Sequence, residues 1–280
     1  MNHYRVERMQ PSQVQMTIDW ANQEGWNPGV LDAACFYQAD LKGFFVGLLN
    51  DHPIAVGSAV VYDDHFAFCG LYIVKKEFRG QGYGIQLTEE RLKYTGDRIT
   101  GIDGILANVD KYKRLGYVEA YKNTRYIFTA NPSAARNAPI VDLQSVPFAD
   151  LEVFDRHYFP APRSRFLKSW IAQPGSKALG FVEKGQLRGY GVIRKCIEGY
   201  KIGPLFAETV LIAQLLLAQL SSHAANGPVF IDIPEPNQEA QALTRQFNMT
   251  PNFIVMRMYR NGFPNMDLKG IYGMTSFEIG

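Results

Sequence analysis

Apolar runs alternating with polar turn clusters fill the first half of the chain. Residues 43–49, 54–62 and 66–74 each read as a strand. Asn50-Asp51-His52-Pro53 and Asp63-Asp64-His65 between them are turn chemistry, so the three predict an antiparallel meander. A strand at 4–8 and a helix over 11–24 precede it. A helix-like run at 85–94, a strand near 99–106, a short helix near 108–115 and a final strand pair over 117–128 follow it. Residues 130–139 are polar, proline-bounded and without apolar period, which predicts a linker.

A second mixed unit comes next. Helices are expected at 147–158 and 163–172, strands at 178–183, 189–196 and 200–205, and a long helix at 208–223. A strand at 229–233, a helix at 237–246 and a strand at 252–259 close the series. The order of elements repeats that of the first half, so an internal duplication is expected, with domains at 1–130 and 139–280. The expected fold class is α/β in the α+β sense: two tandem units, each a mixed, mostly antiparallel sheet flanked by helices.

Composition narrows the picture. A chain of 280 residues, 46% hydrophobic and 20% charged, can bury a large core and holds two ordinary domains. A formal charge of +2, with Lys and Arg scattered, argues against nucleic acid as the main partner. Cys35, Cys69 and Cys196 are odd in number and lack C-x-x-C spacing, which argues against a disulfide framework and a zinc site and fits a reducing cytoplasm. Residues 1–10 have no hydrophobic signal core. The longest apolar stretch, 210–220, carries Gln214 and Gln219 and is too short to span a bilayer.

Between the strand at 66–74 and the helix at 85–94 lies Arg79-Gly80-Gln81-Gly82-Tyr83-Gly84. A strand feeding a glycine-rich turn into a helix aims unpaired N–H groups and the positive end of the helix dipole at one point, where an anion binds. No Lys-Ser/Thr follows Gly84, so a nucleotide P-loop fails. In the G-x-G-x-x-G spacing the third position is Ile85, so a dinucleotide fingerprint fails too. The segment fits R-x-x-G-x-G, and in this it resembles the acyl-CoA-binding signature of the GNAT superfamily of N-acetyltransferases.

The resemblance extends further. Tyr112-Lys113-Arg114-Leu115-Gly116-Tyr117 is similar to the superfamily's Tyr-x-x-x-Gly-Phe segment, whose tyrosine faces the thioester sulfur. It implies Tyr112 as general acid for the departing thiolate, a role a phenol of pKa about 10 can fill at neutral pH. It also implies acetyl-CoA as acyl donor, held by the loop Arg79 to Gly84 and by the backbone of Tyr72, Ile73 and Val74, whose amides would pair with the pantetheine arm and polarise the carbonyl. Leu106 and Lys76 depart from the family's usual asparagine and proline. The whole arrangement resembles two-domain GNAT proteins with a degenerate C-terminal unit, down to the ending Ile271-Tyr272-Gly273-Met274-Thr275-Ser276-Phe277-Glu278. In the second unit only Phe206-Ala207 separates strand from helix, so no amide cradle and no cofactor are expected there.

Candidates for the acceptor pocket are Trp26, Asn27 and Asp32, in and after a segment Glu24-Gly25-Trp26-Asn27-Pro28-Gly29 that also resembles this family, together with Asp232 before Pro234-Glu235-Pro236. Asp232 has two readings, a holder of a substrate ammonium or a cap for the helix near Asn237. Asp63-Asp64-His65 is read as a solvated turn instead of a metal site, and Cys69 as a packing residue. The expected function is transfer of an acetyl or short acyl group from CoA to a primary amine of a small molecule, in a ternary complex, with no metal. The alternatives are a non-catalytic acyl-CoA sensor and an enzyme fed by a different donor such as an acyl carrier protein.

Overall fold

The turn chemistry of Asn50-Asp51 closes as expected, both residues taking the left-handed backbone that a tight hairpin with right-handed twist demands. It joins β2 (Phe44–Leu49) to β3 (His52–Val61), and β4 (Phe66–Val74) completes the antiparallel meander. The structure, a computed structural model, describes residues 3–129 and 138–280, so most of the expected linker at 130–139 lies outside the described residues. β1 (Tyr4–Arg8) pairs antiparallel with β2. α1 (Val14–Gln23) and α2 (Asp32–Ala39) lie between β1 and β2, and α3 (Tyr83–Thr95), β5 (Ile99–Ile105), α4 (Val109–Arg114) and β6 (Val118–Thr129) follow β4.

The second half repeats the plan with β7 (Ile140–Asp142), α5 (Phe148–Tyr158), α6 (Ser164–Ile171), β8 (Lys177–Glu183), β9 (Gln186–Lys195) and β10 (Tyr200–Ala207). α7 (Val210–Ser221), β11 (Pro228–Pro234), α8 (Gln238–Gln246), β12 (Thr250–Arg260) and a short β13 (Ile271–Gly273) complete it. Three elements escape the apolar pattern: α2, β7 and β13. β7 and β13 have three residues each, and α2 opens on a buried aspartate, so none shows a readable period.

One continuous 13-stranded sheet results, in the order β1-β2-β3-β4-β5-β12-β6-β11-β10-β9-β8-β7, with β13 attached to β10. Among the described residues every ladder is antiparallel except β4 with β5 and β10 with β11. Read from either end, the order is the same, but the last strand is exchanged. β12 of the second half lies between β5 and β6, and β6 of the first half lies between β12 and β11. The expected strand pair over 117–128 is therefore a single long strand. Its polar middle is not a turn, because Asn123 and Arg125 are buried and paired inside the sheet.

Buried ion pairs rivet the exchange. Arg257 of β12 donates to both oxygens of Asp103 on β5, at 2.8 and 2.7 Å, and Asn123 of β6 donates to the same carboxylate at 2.9 Å. Burial pushes the Asp103 carboxyl upward and the Arg257 charge opposes that push, so the pair is interdependent. An apolar cluster also spans both halves. Phe36 of α2 stacks on Trp170 of α6 at 5.9 Å, both fully buried.

Candidate active site

β4 and β5 begin as parallel partners and then part. The ladder holds only from Phe66, opposite Ile99, to Phe68, opposite Gly101. β5 runs on with β12 along its other edge, from Thr100 to Ile105, and residues 70–74 of β4 keep β3 alone as partner. Within this free stretch β4 carries a bulge. Ser58 faces Gly70 and Val56 faces Ile73, so Leu71 and Tyr72 together oppose Gly57. Leu71 takes φ of 47°, a conformation that a branched side chain resists, and the surroundings must hold it there. Arg91 of α3 does so. Buried on the same helix face as Leu87 and Thr95, it donates to the carbonyl oxygens of Ser58 at 2.8 Å and Gly70 at 3.2 Å.

Past β4, Gly80 and Gly82 have φ of 76° and 87°, and a Cβ on either would meet no atom within 4 Å. Backbone conformation, not crowding, requires these two glycines, and it turns the loop so that Gly82 caps the start of α3. In that first turn the Ile85 amide donates to the Gly82 carbonyl at 3.0 Å, which leaves the Tyr83 and Gly84 N–H groups as the ones without a partner inside the helix. Gly84 is needed for a different reason: a Cβ there would collide with the Tyr72 hydroxyl. Tyr83 packs its ring on Tyr4 at 4.8 Å, its carbonyl accepts from the Tyr4 hydroxyl at 3.0 Å, and the Gln81 amide donates to the Glu77 carbonyl at 2.9 Å. Arg79 folds back from the loop, donating to the Val74 carbonyl and to Glu24 at the end of α1, both at 2.7 Å. Its charge is thereby paired with the Glu24 carboxylate. The Lys75 ammonium rests over the Trp20 ring at 4.9 Å.

Tyr112 of α4 comes to the same fork. It packs on β5 at Gly104, where a Cβ would lie 2.6 Å from its ring, and stands edge-on to Tyr117 at 6.4 Å. Burial pushes its hydroxyl pKa upward. The nearby Arg91 charge opposes the shift and Tyr72 adds to it. Tyr112, Tyr72 and the bulge thus converge on the gap between β4 and β5. The residues that shape the gap and were not foreseen are Leu71, Arg91 and Gly104. Of these only Arg91 leaves a trace in the sequence, as a cation at helical spacing between Leu87 and Thr95.

The four acceptor candidates lie where the halves meet, each held by a cation of the second sheet region. Asp32 accepts from Arg194 of β9 at 2.8 and 3.2 Å and from the Gly29 amide at 2.8 Å. Asp232 of β11 accepts from Arg125 of β6 at 2.6 and 2.8 Å, so both its oxygens already carry an N–H. It does not cap α8, because the Asn237 side chain accepts from Ala240 in that role. Trp26 offers its carbonyl to Arg125 at 2.7 Å, and Asn27 its carbonyl to the buried Lys201 at 2.8 Å. Burial depresses the Lys201 pKa, and Arg125 depresses it further. Asp63 is a turn former as read, accepting from the amides of His65 and Phe66 at 2.8 Å. Cys69 is buried in the core beside Leu87. Among the described residues no group of His, Cys, Asp and Glu is arranged to hold a metal, and no helix is long and apolar enough to cross a membrane.

The equivalent fork in the second half is closed. β10 and β11 pair from Tyr200 to Ile202. Beyond that point β13 pairs with β10 at Leu205 and Phe206, and the Met274 amide donates to the Asp232 carbonyl at 2.7 Å. A strand of the protein itself thus lies where the first half leaves its edge free.

Residues 12–123 match the acetyltransferase (GNAT) family and residues 151–273 match a second acetyltransferase (GNAT) domain. A holothin acyltransferase from Pseudoalteromonas sp. (strain SANK 73390) is 28% identical over 267 residues, covering 95% of this chain and 91% of that protein. The uncharacterized N-acetyltransferase YitH of Bacillus subtilis (strain 168) is 27% identical over 169 residues, 59% of each. Among solved structures, a protein of Pyrococcus horikoshii assigned to the acetyltransferases superposes with a TM-score of 0.85 at 20% identity, over 99% of this chain and 96% of that one. A tandem GNAT protein from the clavulanic acid biosynthesis pathway gives 0.65 at 13% identity, over 94% and 100%. Both structures share the fold. With two matches of the same kind in succession and an acyltransferase relative along nearly its whole length, the chain belongs to the GNAT acetyltransferases, as a tandem member and an acyltransferase.

Proposed function

We propose that the protein transfers an acetyl or other short acyl group from acyl-CoA to a primary amine of a small molecule, by direct attack in a ternary complex. The observation that carries this reading is the open fork between β4 and β5, with the glycine cradle following β4 and Tyr112 packed on β5 at Gly104. The cradle fits a diphosphate, since no Cβ obstructs it at Gly80 or Gly82 and the helix start supplies donors. Arg79, Gly80, Gln81, Gly82, Tyr83 and Gly84 would hold the phosphates, and the free edge at Tyr72, Ile73 and Val74 the pantetheine. Bound acyl-CoA supplies an activated thioester, and Tyr112 holds the proton destined for its sulfur. The proposed units, 1–130 and 139–280, divide the work. The first binds the donor, and the second, whose own fork β13 fills, walls the acceptor side. A cytoplasmic location fits the three free cysteines.

Single-turnover mixing with radiolabelled acetyl-CoA and a panel of primary amines tests the reading, the expected result being labelled amide and free CoA. Tight CoA binding without product from any amine would favour an acyl-CoA sensor instead. The cradle has its own test. Gly82→Val forces a branched side chain into φ of 87°, at a cost of about 1–3 kcal/mol, and reorients the amides at the start of α3. Calorimetry should show CoA affinity falling by roughly tenfold or more, and unchanged affinity would remove the cradle from the donor site.

A further inference from the structure

We propose that Glu278 is the catalytic residue that takes the proton from the acceptor ammonium, an inference that rests on the acyl-transfer reading above. After β13 the chain crosses back over the first half. The Ile279 carbonyl accepts from the Tyr62 hydroxyl at 2.7 Å, and the Glu278 carbonyl packs so closely on Gly70 that a Cβ there would collide with it. Gly70 is the β4 residue immediately before Leu71 of the bulge, at the point where β4 has parted from β5. Cys69 of β4 faces the core under α3, so its neighbour Gly70 faces the other side of the sheet, and the segment carrying Glu278 lies there. An acyl group at the bulge and an amine arriving from the side opposite α3 would meet beside it.

Charge accounting singles out this carboxylate. Asp32 bonds Arg194 and Asp232 bonds Arg125, whereas Glu278 bonds neither. Glu278 is 3% exposed, and its Oε2 has no hydrogen-bond partner among the described residues. Arg194 likewise has an unpartnered buried Nη1. Arg125, Arg194 and Lys201 all feel the Glu278 charge, and the Cys196 thiol lies among the same cations. A buried carboxylate with an open oxygen is costly in a folded protein unless something arrives to use it.

Glu278 takes one proton from the ammonium, and the freed nitrogen pair forms the C–N bond to the thioester carbonyl carbon. The C–S pair goes to sulfur, which Tyr112 protonates, and the second nitrogen proton returns to Tyr112 as the amide forms. Glu278 then loses its proton to solvent.

Glu278→Gln, with Glu278→Asp as partner, tests the assignment through two readouts. S-bromoacetyl-CoA carries an electrophile at the acyl position. In the unaltered protein it should esterify Glu278 with loss of bromide, located by tandem mass spectrometry in tryptic peptide 270–280, and the Gln variant should escape. The Gln variant should keep CoA affinity within about threefold yet transfer acetyl to aliphatic amines about 100-fold more slowly, with the Asp variant in between. Aniline, unprotonated at neutral pH, should lose less than about tenfold. Modification elsewhere with CoA bound, or equal loss for both amine types, overturns the Glu278 assignment alone. Failure of the unaltered protein to bind CoA overturns the acyl-transfer reading and this inference with it.

Discussion

Produced as separate polypeptides, residues 1–130 and 139–280 are each expected to lack a cooperative unfolding transition and to recover one when produced together. Each fragment loses the strand that closes its sheet. Without β12, β5 has an exposed edge on one side, and Asp103 is left without Arg257 and without the partner strand that buries it. Without β6, β11 loses its antiparallel partner and Asp232 loses Arg125. Removing one member of a buried ion pair costs about 3–5 kcal/mol because the survivor remains uncompensated, and a whole domain is stable by only about 5–15 kcal/mol. The apolar contact between Phe36 and Trp170 is broken at the same cut, which adds a loss of similar size. Circular dichroism on melting and gel filtration of the mixed fragments check this. A sharp transition in either fragment alone would mean that the exchanged strand is not required for its fold.

That expectation marks where sequence reasoning stops. Turn chemistry and alternation placed nearly every strand of the first half to within two residues, because hairpins such as Asn50-Asp51 are local. Element order also exposed the duplication. Nothing local reports which copy of the last strand pairs with β5, because β6 and β12 are both long amphipathic strands suited to the same slot. Their polar residues carry that information only in pairs. Asn123 and Arg257 converge on Asp103, and Arg125 meets Asp232 across 107 positions.

The site divides along the same line. The glycine loop was legible because conformational freedom is a property of single residues: Gly80 and Gly82 do take left-handed backbone. The strain at Leu71 was not, since leucine gives no sign of it. Arg91, which steadies the bulge, depends on two carbonyls more than 20 residues away in the chain. The acidic candidates illustrate the reverse error of scale. Asp32 and Asp232 look available in the sequence and are engaged in the fold, whereas Glu278 gains its open oxygen only from the way the segment after β13 is laid down.

Tyr112→Phe is expected to lower kcat by about 100-fold or more while leaving the dissociation constant for CoA within about threefold. The ring that packs on Gly104 and Tyr117 is retained, so the fork keeps its shape, and the one group removed is the hydroxyl. The pH dependence gives the assignment its sign. Burial raises the Tyr112 pKa above its ordinary value of 10.0, so the proton is present throughout the neutral range and donor capacity falls only as pH rises past that value. Stability follows the same direction. A phenol whose pKa is higher folded than unfolded contributes fully below the unfolded value and loses that contribution as pH climbs toward the folded one. The unaltered enzyme should therefore show an alkaline decline beginning above about pH 10, and the Phe variant should lack it. Stopped-flow detection of CoA release across pH, set beside calorimetric CoA titrations, separates the two quantities. Full turnover in the Phe variant would transfer thiolate protonation to solvent or to Tyr72, the other hydroxyl at the fork.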